Sequence, residues 1–224
     1  REYLNIVNRS GEHLMELIND VLEISRIESQ RVTLDMHTCD LHALMHDLDV
    51  MFRVRTNAKG LQFEINGVNE IPRYVVTDEN KLRQIMINLL GNAVKYTKEG
   101  GIVMRFAIKD QTSGNMRLIA EFEDTGIGIA EEEIGKIFEY FEQTAVARQS
   151  KSGTGLGLAI SREYARMLGG DITVTSRLGK GSIFRLEINM KEGRESDRKD
   201  KTSHPRVVSL AAGQKIPRIL VVED

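Results

Sequence analysis

Glycine is concentrated in one part of this chain, and its distribution limits what that part can fold into. Fourteen of the 19 glycines lie between Gly91 and Gly181. Glycine has no Cβ, so it adopts backbone conformations that other residues avoid and lets backbone or a ligand approach closely. We therefore expect this region to contain strands and helices joined by tight loops.

The composition is that of an ordinary globular protein. Of the 224 residues, 41% are hydrophobic and 29% charged, with a formal net charge of −2. That balance disfavours nucleic acid as a partner. A single cysteine, Cys39, excludes an internal disulfide and a cysteine-ligated zinc site, and it favours a reducing compartment. No apolar run approaches the roughly 18 residues of a membrane span. We expect a cytoplasmic region, cut from a longer parent whose membrane attachment the sequence does not reveal.

Residues 1–28 have the periodicity of a bundle-forming helix. Their seam positions recur at alternating spacings of four and three, and these are Tyr3, Val7, Ser10, Leu14, Leu17, Val21 and Ile24. Each buried Leu or Ile contributes roughly 1.5–3 kcal/mol, so the stripe needs a partner. Packing against the chain's own domain is one solution, and dimerisation through a helical bundle is the one we favour.

The remaining patterns predict an α+β fold, a two-layer sandwich with helices on one face of a largely antiparallel sheet. Asp40 and Asp78 are positioned to cap helices. The predicted helices cover residues 41–60, 79–97, 131–138 and 158–168. The predicted strands cover residues 32–36, 61–66, 102–109, 116–123, 171–176 and 182–189.

The C-terminal part has a different character. Residues 191–206 contain six basic and four acidic side chains and no apolar one. Such a segment cannot bury enough surface to offset the cost of ordering, so residues 191–216 are predicted to be a flexible linker. Residues 217–224 have the pattern of a buried strand that ends in two acids.

The apolar helix near residue 88 carries a polar stripe. Asn88, Asn92 and Lys95 are spaced i, i+4 and i+7, which places them along one face. Amide oxygens suit Mg²⁺, which usually shares its coordination shell with phosphate oxygens and water. Lys95 could then neutralise phosphate charge. The alternative is a solvated helix edge.

Two glycine loops provide the context for this stripe. Asp124-Thr-Gly126-Ile-Gly128 follows a strand, and the carboxylate of Asp124 can accept a hydrogen bond from the exocyclic amine of adenine. Residues 153–158, Gly-Thr-Gly-Leu-Gly-Leu, open directly into a helix. A glycine-rich helix N-terminus presents free N–H groups and suits a phosphate. Either loop alone is equally well explained as a turn.

In order and spacing, these segments resemble the ATP-binding domain of sensor histidine kinases, which has the Bergerat or GHKL fold. The matching segments are Asn88 to Thr97, Asp124 to Gly128, Phe138-x-x-Phe141 and residues 153–158. The resemblance implies that residues 1–30 are the second helix of a dimerisation and phosphotransfer hairpin. Residues 31–190 would be the catalytic domain, and residues 217–224 the first strand of a receiver domain in a hybrid kinase.

The resemblance also implies roles for individual residues. Asn92 would be the main Mg²⁺ ligand, supported by Asn88, and Lys95 and Tyr96 would face the phosphates and nucleotide. Asp124 would recognise adenine, through a water shared with Ser182. Other residues would shape the pocket: Gly126, Gly128, Ile129, Gly153, Thr154, Gly155, Leu156, Gly157 and Leu158. Residues 138–152 would form a lid, in which either Arg148 or Lys151 reaches the γ-phosphate.

The phosphoacceptor of that family is missing from the sequence. The family places its acceptor histidine in a Ser/Thr-His-Glu-x-Arg-Thr-Pro context. None of the five histidines lies in such a context, and these are His13, His37, His42, His46 and His204. We therefore expect the chain to bind ATP and Mg²⁺ without phosphorylating itself. In a parent protein it would dimerise and pass the phosphoryl group through a histidine to a receiver domain.

Two other functions remain open from the sequence. A different ATPase of the same superfamily, of the gyrase or heat-shock chaperone type, has a glutamate four residues before the metal-binding asparagine. Here that position is Asn88, which disfavours efficient hydrolysis. A non-catalytic dimerisation or binding module with a degenerate pocket is the other alternative.

Overall fold

The structure is a computed structural model that describes residues 2–29, 31–112, 114–142 and 154–197. Its helices are α1 (Glu2–Glu28), α2 (Leu41–Asn57), α3 (Glu79–Tyr96), α4 (Glu131–Ile134) and α5 (Gly157–Met167). Its strands are β1 (His37–Asp40), β2 (Gln62–Asn66), β3 (Tyr74–Thr77), β4 (Gly101–Thr112), β5 (Asn115–Asp124), β6 (Asp171–Arg177) and β7 (Gly181–Glu192). Short 3₁₀ helices occupy Val68–Glu70 and Glu195–Asp197.

The seven strands form one mixed sheet. Its order is β1-β3-β7-β5-β4-β2, and β6 also pairs with β7. The pairings are antiparallel except that of β2 with β4, which is parallel. Pairing of β5 with β7 brings Asp124 opposite Ser182. The sheet therefore places two predicted site residues side by side, where β5 ends and β7 begins.

Apolar residues on alternate strand positions form one face of the sheet, and helices cover it. In β4, Ile102, Met104 and Phe106 are buried. Helix α3 packs on β5 and against α2 and α5, and α2 also contacts β2 and β3. Both predicted caps are present: Asp40 accepts the N–H of Ala43, and Asp78 accepts the N–H of Lys81, each at 3.0 Å. The predicted α+β sandwich is confirmed.

Helix α1 contacts the α+β sandwich through its C-terminal half. It packs on α5, and Ile24 is buried in the common core. Several residues of its apolar stripe are exposed, Val7 by 66%, Leu14 by 57% and Val21 by 46%. Within the described residues, no helix is both long and apolar enough to cross a bilayer.

The strand predicted at residues 32–36 is wrong. Val32 and Leu34 are half-buried in a segment without regular secondary structure, and the strand is β1, which begins at His37, one residue after the predicted strand ends. The segment is held differently: the N–H of Asp35 donates to the carboxylate of Asp78 at 3.0 Å. Alternating exposure thus arose without a sheet ladder.

Other boundaries also differ from the sequence-based expectations. Strand β3 was not predicted, although it joins β1 to β7. Helix α4 ends at Ile134, four residues before the predicted end. The predicted linker start at residue 191 is too early, because β7 continues to Glu192 and Glu195 accepts a hydrogen bond from the Tyr74 hydroxyl at 2.8 Å. The rest of the predicted linker and the receiver strand at 217–224 lie outside the described residues.

Candidate nucleotide site

A cavity of about 500 Å³ lies between α3, α5 and the loop that follows β5. Its walls combine amides, carboxylates and cations with an apolar slot. The apolar slot is lined by Ile127, Ile129, Ile137, Ile160 and Phe184. The polar wall includes Asp20, Arg55, Asn88, Asn92, Lys95, Tyr96, Asp124, Thr154, Ser161 and Ser182. Such a site can accept a flat apolar ring at one end and a charged group at the other.

The amides of α3 form a connected pair at the cavity wall. Asn92 Nδ2 donates to Asn88 Oδ1 at 3.4 Å, and Asn88 Nδ2 donates to Ser161 Oγ at 2.8 Å. These bonds fix both side chains between α3 and α5. They use the nitrogen of Asn92, so its oxygen is the natural acceptor or metal ligand of the pair.

Gly157 permits this arrangement at the start of α5. A Cβ at this position would lie 2.7 Å from Asn88 Oδ1, closer than real Cβ contacts. The third glycine of the second loop is thus needed for the close approach of α5 to the amide pair.

Asp124 lies at the end of β5 and is only 7% exposed. Its Oδ1 accepts the N–H of Gly126 at 2.8 Å. Burial raises the pKa of Asp124 above its ordinary value, and backbone hydrogen bonds from Gly126 and Ser182 oppose this shift. The result is a fixed, desolvated acceptor at the apolar end of the cavity, which suits the exocyclic amine of adenine.

The first glycine loop is clamped between two elements. The N–H of Ile127 donates to the Tyr96 carbonyl at 3.4 Å, and the N–H of Gly179 donates to the Ile127 carbonyl at 2.7 Å. Gly128 has φ +68, and a Cβ there would overlap the carbonyl of Arg177. This loop needs glycine both for its backbone angle and for its close packing.

The second glycine loop ends at the N-terminus of α5. Gly155 has φ +75, and no side chain caps the helix at Leu156. Thr154 Oγ1 accepts the N–H of Leu156 at 3.2 Å. The first-turn N–H groups of an eleven-residue helix therefore face a cavity lined by Gly155, Gly157 and Leu158. This is a favourable place for phosphate.

Two cations line the cavity beside the amide pair. Lys95 is in the last turn of α3, with its Nζ 4.8 Å from the centre of the Tyr96 ring. Arg55, on α2, was not identified from the sequence. Lys59, two residues after the end of α2, donates to the Val94 carbonyl at 2.6 Å and so holds the C-terminal end of α2 against α3. Arg55 occurs on an amphipathic helix rich in charged residues, so no local sequence signal distinguished it.

A second cavity residue missed by the sequence reasoning comes from α1. Asp20 lines the cavity, and its Oδ2 accepts a hydrogen bond from Thr154 Oγ1 at 2.7 Å. It lies in a stretch read as the end of a bundle helix. Only the docking of α1 on α5 brings it to the glycine loop.

The cavity brings together most of the predicted site residues. Gly126 and Leu156 support the loops from behind and do not line it. The start of the predicted lid is described, with Phe138 half-buried under Arg162, whose guanidinium lies 4.6 Å from the ring centre. Gly153, Arg148 and Lys151 lie outside the described residues, so the choice between the two lid cations stays a prediction.

The donor set is compatible with Mg²⁺ bound together with a nucleotide. The described residues contain no cluster of three or more His, Cys, Asp or Glu side chains arranged to hold a metal ion. Amide oxygens of Asn92 and Asn88 supply only part of an octahedral shell. Phosphate oxygens and water would have to complete it, as is usual for Mg²⁺.

Comparisons with known proteins agree with this geometry. The sequence model of the histidine kinase-, DNA gyrase B- and HSP90-like ATPase family matches residues 77–192, more than half of the chain. The chain therefore belongs to this ATPase family. The matched range contains the amide pair, both glycine loops and the strands that carry Asp124 and Ser182.

The curated relatives are sensor kinases. The chain is 39% identical over 190 residues to the aerobic respiration control sensor protein ArcB of Escherichia coli K12, covering 84% of this chain and 24% of ArcB. It is 35% identical over 223 residues to the autoinducer 2 sensor kinase/phosphatase LuxQ of Vibrio vulnificus, covering 99% of this chain and 26% of LuxQ. The chain thus spans about a quarter of the length of these relatives.

Solved structures show the same fold. Full-length ShkA in complex with AMPPNP matches with a TM-score of 0.71 and 31% identity, over 86% of this chain and 39% of ShkA. The histidine kinase ThkA, solved in complex with the response regulator protein TrrA, matches with a TM-score of 0.62 and 26% identity, over 84% of this chain and 51% of that one. The catalytic domain of histidine kinases is therefore the fold of this chain.

Substitution of Gly157 by alanine tests the contact between α5 and the amide pair. The new Cβ displaces the flexible end of Asn88, so we expect a nearly unchanged free energy of unfolding and a several-fold loss of ATP affinity. Gly135→Ala is the control, because Gly135 has helical backbone angles and open space around it. Calorimetric titration and urea denaturation measure both quantities. Equal ATP affinity in the two variants would contradict the assigned role.

Asp124→Asn separates function from stability. Burial raises the pKa of Asp124 in the folded protein above its ordinary value of 3.8. At a pH above this raised pKa, the ionised carboxylate therefore lowers the free energy of unfolding of the nucleotide-free protein. At a pH below 3.8 the group is protonated in both the folded and the unfolded state, so this effect disappears. We expect the variant to unfold at higher urea than the wild type near pH 7, and to lose ATP binding. The stability difference should vanish at about pH 3.

Asp171→Asn is expected to change the free energy of unfolding in the opposite direction to Asp124→Asn. Hydrogen bonds from Arg162 lower the pKa of Asp171, so its ionised form stabilises the fold above its ordinary pKa. This variant should be less stable than the wild type near pH 7. A destabilised Asp124→Asn protein at that pH would contradict the desolvation argument.

Proposed function

We propose that this chain is the ATP-binding catalytic domain of a hybrid sensor histidine kinase, which holds ATP and Mg²⁺ for transfer of the γ-phosphoryl group to a histidine. One observation carries the proposal. A desolvated carboxylate, a pair of helix amides and a helix N-terminus converge on one cavity, at Asp124, Asn92 and Gly157.

We place ATP in the cavity with its adenine in the apolar slot and its phosphates towards α5. Adenine would occupy the apolar slot and donate its amine hydrogen to Asp124. The phosphates would extend to the N-terminus of α5, where backbone N–H groups can donate hydrogen bonds to an anion. Lys95 and Arg55 would offset their charge, and Mg²⁺ would be held by Asn92 together with phosphate oxygens.

In this proposal the protein contributes positioning and electrostatics. Bound Mg²⁺ would neutralise charge on the phosphates. The chain's own groups would orient the nucleotide, since phosphoryl transfer needs the nucleophile and leaving group in line. Asn88 would act mainly as a support, because its amide is already bonded to Ser161 and Asn92.

We infer that none of the five histidines of this chain is the phosphoacceptor. The ring of His37 is hydrogen-bonded to the Asp35 carbonyl at 2.8 Å, and that of His42 to the Ile71 carbonyl at 3.0 Å. These contacts suit structural histidines. The side chains of His13 and His204 lie outside the described residues, and neither these nor His46 has the acceptor context.

The superfamily ATPase alternative is less favoured by the site. At the position of the water-activating glutamate this chain has Asn88, and an amide is not a general base. Its bond to Ser161 also commits it to a structural contact. A degenerate binding module is disfavoured by the intact cavity with its charged and amide groups.

The proposed parent is a longer protein, consistent with the chain spanning about a quarter of the length of ArcB and LuxQ. Residues 1–30 would belong to the dimerisation and phosphotransfer hairpin. Residues 217–224 would begin a receiver domain, joined by a linker, in a protein whose catalytic region is cytoplasmic. The complex of ThkA with a response regulator supports a receiver as the partner.

Binding of ATP to the 224-residue chain tests the proposal. By calorimetry we expect binding in Mg²⁺ that weakens on the order of tenfold or more in EDTA. Asn92→Ala should bind weakly and without metal dependence, because it removes the proposed ligand. Asn69→Ala, on an exposed 3₁₀ turn, is the matched control.

The same protein also tests the reaction. Incubated with ATP, it should label an added helix that carries the family's acceptor histidine and should not label itself. Rapid steady-state hydrolysis without that helix would favour the superfamily ATPase. No binding of ATP by the wild-type chain would favour the degenerate module.

Homodimerisation is proposed from the exposed stripe of α1. Val7, Leu14 and Val21 are each about half exposed or more, and an apolar stripe of this length is a common helix–helix interface. Leu14→Glu should weaken self-association in sedimentation equilibrium. Leu178→Glu should not, because Leu178 is 61% exposed on the β6–β7 turn, away from α1. Equal association of both variants would contradict an α1 interface.

A further inference from the structure

We propose that Asp20, on helix α1, is a residue of the nucleotide site that competes with the phosphates of ATP, so that ATP binding and docking of α1 on the catalytic domain oppose each other. The inference rests on the ATP site proposed above. It adds a residue from outside the matched ATPase range and gives it a function.

The contact of Asp20 is made with the loop that would receive phosphate. Its carboxylate accepts a hydrogen bond from Thr154 Oγ1 at 2.7 Å. Thr154 in turn accepts the N–H of Leu156, the N-cap residue of α5. Asp20 is therefore an anion held at the edge of a site suited to anions.

Asp20 and the phosphates would share one cavity. Asp20 lines it together with Asn88, Thr154 and Gly157. A carboxylate and a nucleotide with several negative charges repel each other, and the repulsion is stronger in a partly buried site than in bulk water. Bound ATP would therefore favour a position of α1 in which Asp20 is further from the loop.

A neighbouring cluster docks α1 without entering the cavity. Glu23 accepts hydrogen bonds from the Tyr164 hydroxyl and from Lys81 Nζ, the latter at 3.3 Å. The Lys81 ammonium also lies 4.4 Å from the centre of the Tyr164 ring. Ile24 is buried beside this cluster. Glu23 thus holds α1 in place, and Asp20, three residues earlier on the same helix face, meets the loop.

Coupling between the two events follows from thermodynamic linkage. If docked α1 lowers the affinity for ATP, ATP must lower the stability of docking by the same factor. The bundle helix would then be released from the catalytic domain when nucleotide binds. The exposed seam of α1 would gain freedom of position at that step.

Three single variants and one double variant of the 224-residue chain test the inference. Asp20→Asn removes the charge and retains an acceptor for Thr154, so it should bind Mg²⁺–ATP several-fold more tightly than the wild type. Adenosine, which has no phosphates, should bind both with equal affinity. Glu28→Gln, an exposed charge change on the same helix, should have no effect.

Glu23→Gln distinguishes an effect of α1 docking on ATP affinity from a direct effect of the charge of Asp20. Weakened docking should also tighten ATP binding, because it lets Asp20 leave the cavity. Asp20→Asn with Glu23→Gln should then bind ATP no more tightly than Asp20→Asn alone. In the wild type, amides of residues 18–28 should exchange hydrogen faster once ATP is added.

The outcomes separate this inference from the proposed function. If the wild type binds Mg²⁺–ATP and Asp20→Asn binds it equally or more weakly, the competition is disproved and the ATP site stands. Slower exchange in α1 on addition of ATP would also overturn it. If the wild type binds neither ATP nor adenosine, both the proposed function and this inference fail.

Discussion

Helix α3 buries an apolar face in the core and exposes a polar face to the cavity, and the candidate site depends on this arrangement. Its apolar side is fully buried against the sheet and the neighbouring helices, including Leu82, Ile85 and Leu90. Such a face fixes the rotation of the helix about its axis. Asn88 and Asn92 are then held at the cavity wall, where Ser161 of α5 fixes the orientation of the first. The core thus positions the amide pair.

The sheet positions the residues at the opposite end of the cavity, as the core positions the amide pair. Pairing of β5 with β7 sets Asp124 beside Ser182, and the first glycine loop turns away under the β6–β7 turn. Burial of Asp124 costs stability in the empty protein and yields a desolvated acceptor. The position therefore makes sense for recognition of a ligand, more than for the fold itself.

Much of the fold and site was predictable because its signals are local. Alternation in β4 and β5, the aspartate caps at positions 40 and 78, and the spacing of Asn88 and Asn92 each depend on near neighbours in sequence. The strands and the two caps are confirmed, and the two asparagines lie together on α3 as their spacing predicts. The role of these asparagines in binding a metal stays a prediction. Alternation alone is not sufficient for a strand: in the segment before His37, Val32, Leu34 and Met36 alternate, but they pair with no neighbouring strand among the residues that the structure describes.

The missed residues depend on contacts between distant segments. Strand β3 is four residues long and exists through its pairing with β1 and β7. Arg55 reaches the cavity because α2 packs on α3. Asp20 does so because α1 docks on α5. No periodicity within one segment reports these juxtapositions, so the structure was needed to find these two charged groups at the cavity wall.

A crystal structure of the 224-residue chain with AMPPNP and Mg²⁺ tests the central claim most directly. The account predicts adenine in the apolar slot with its amine on the Asp124 carboxylate, the metal on Asn92, and phosphates at the N-terminus of α5. Nucleotide bound elsewhere, or adenine without contact to Asp124, would contradict it.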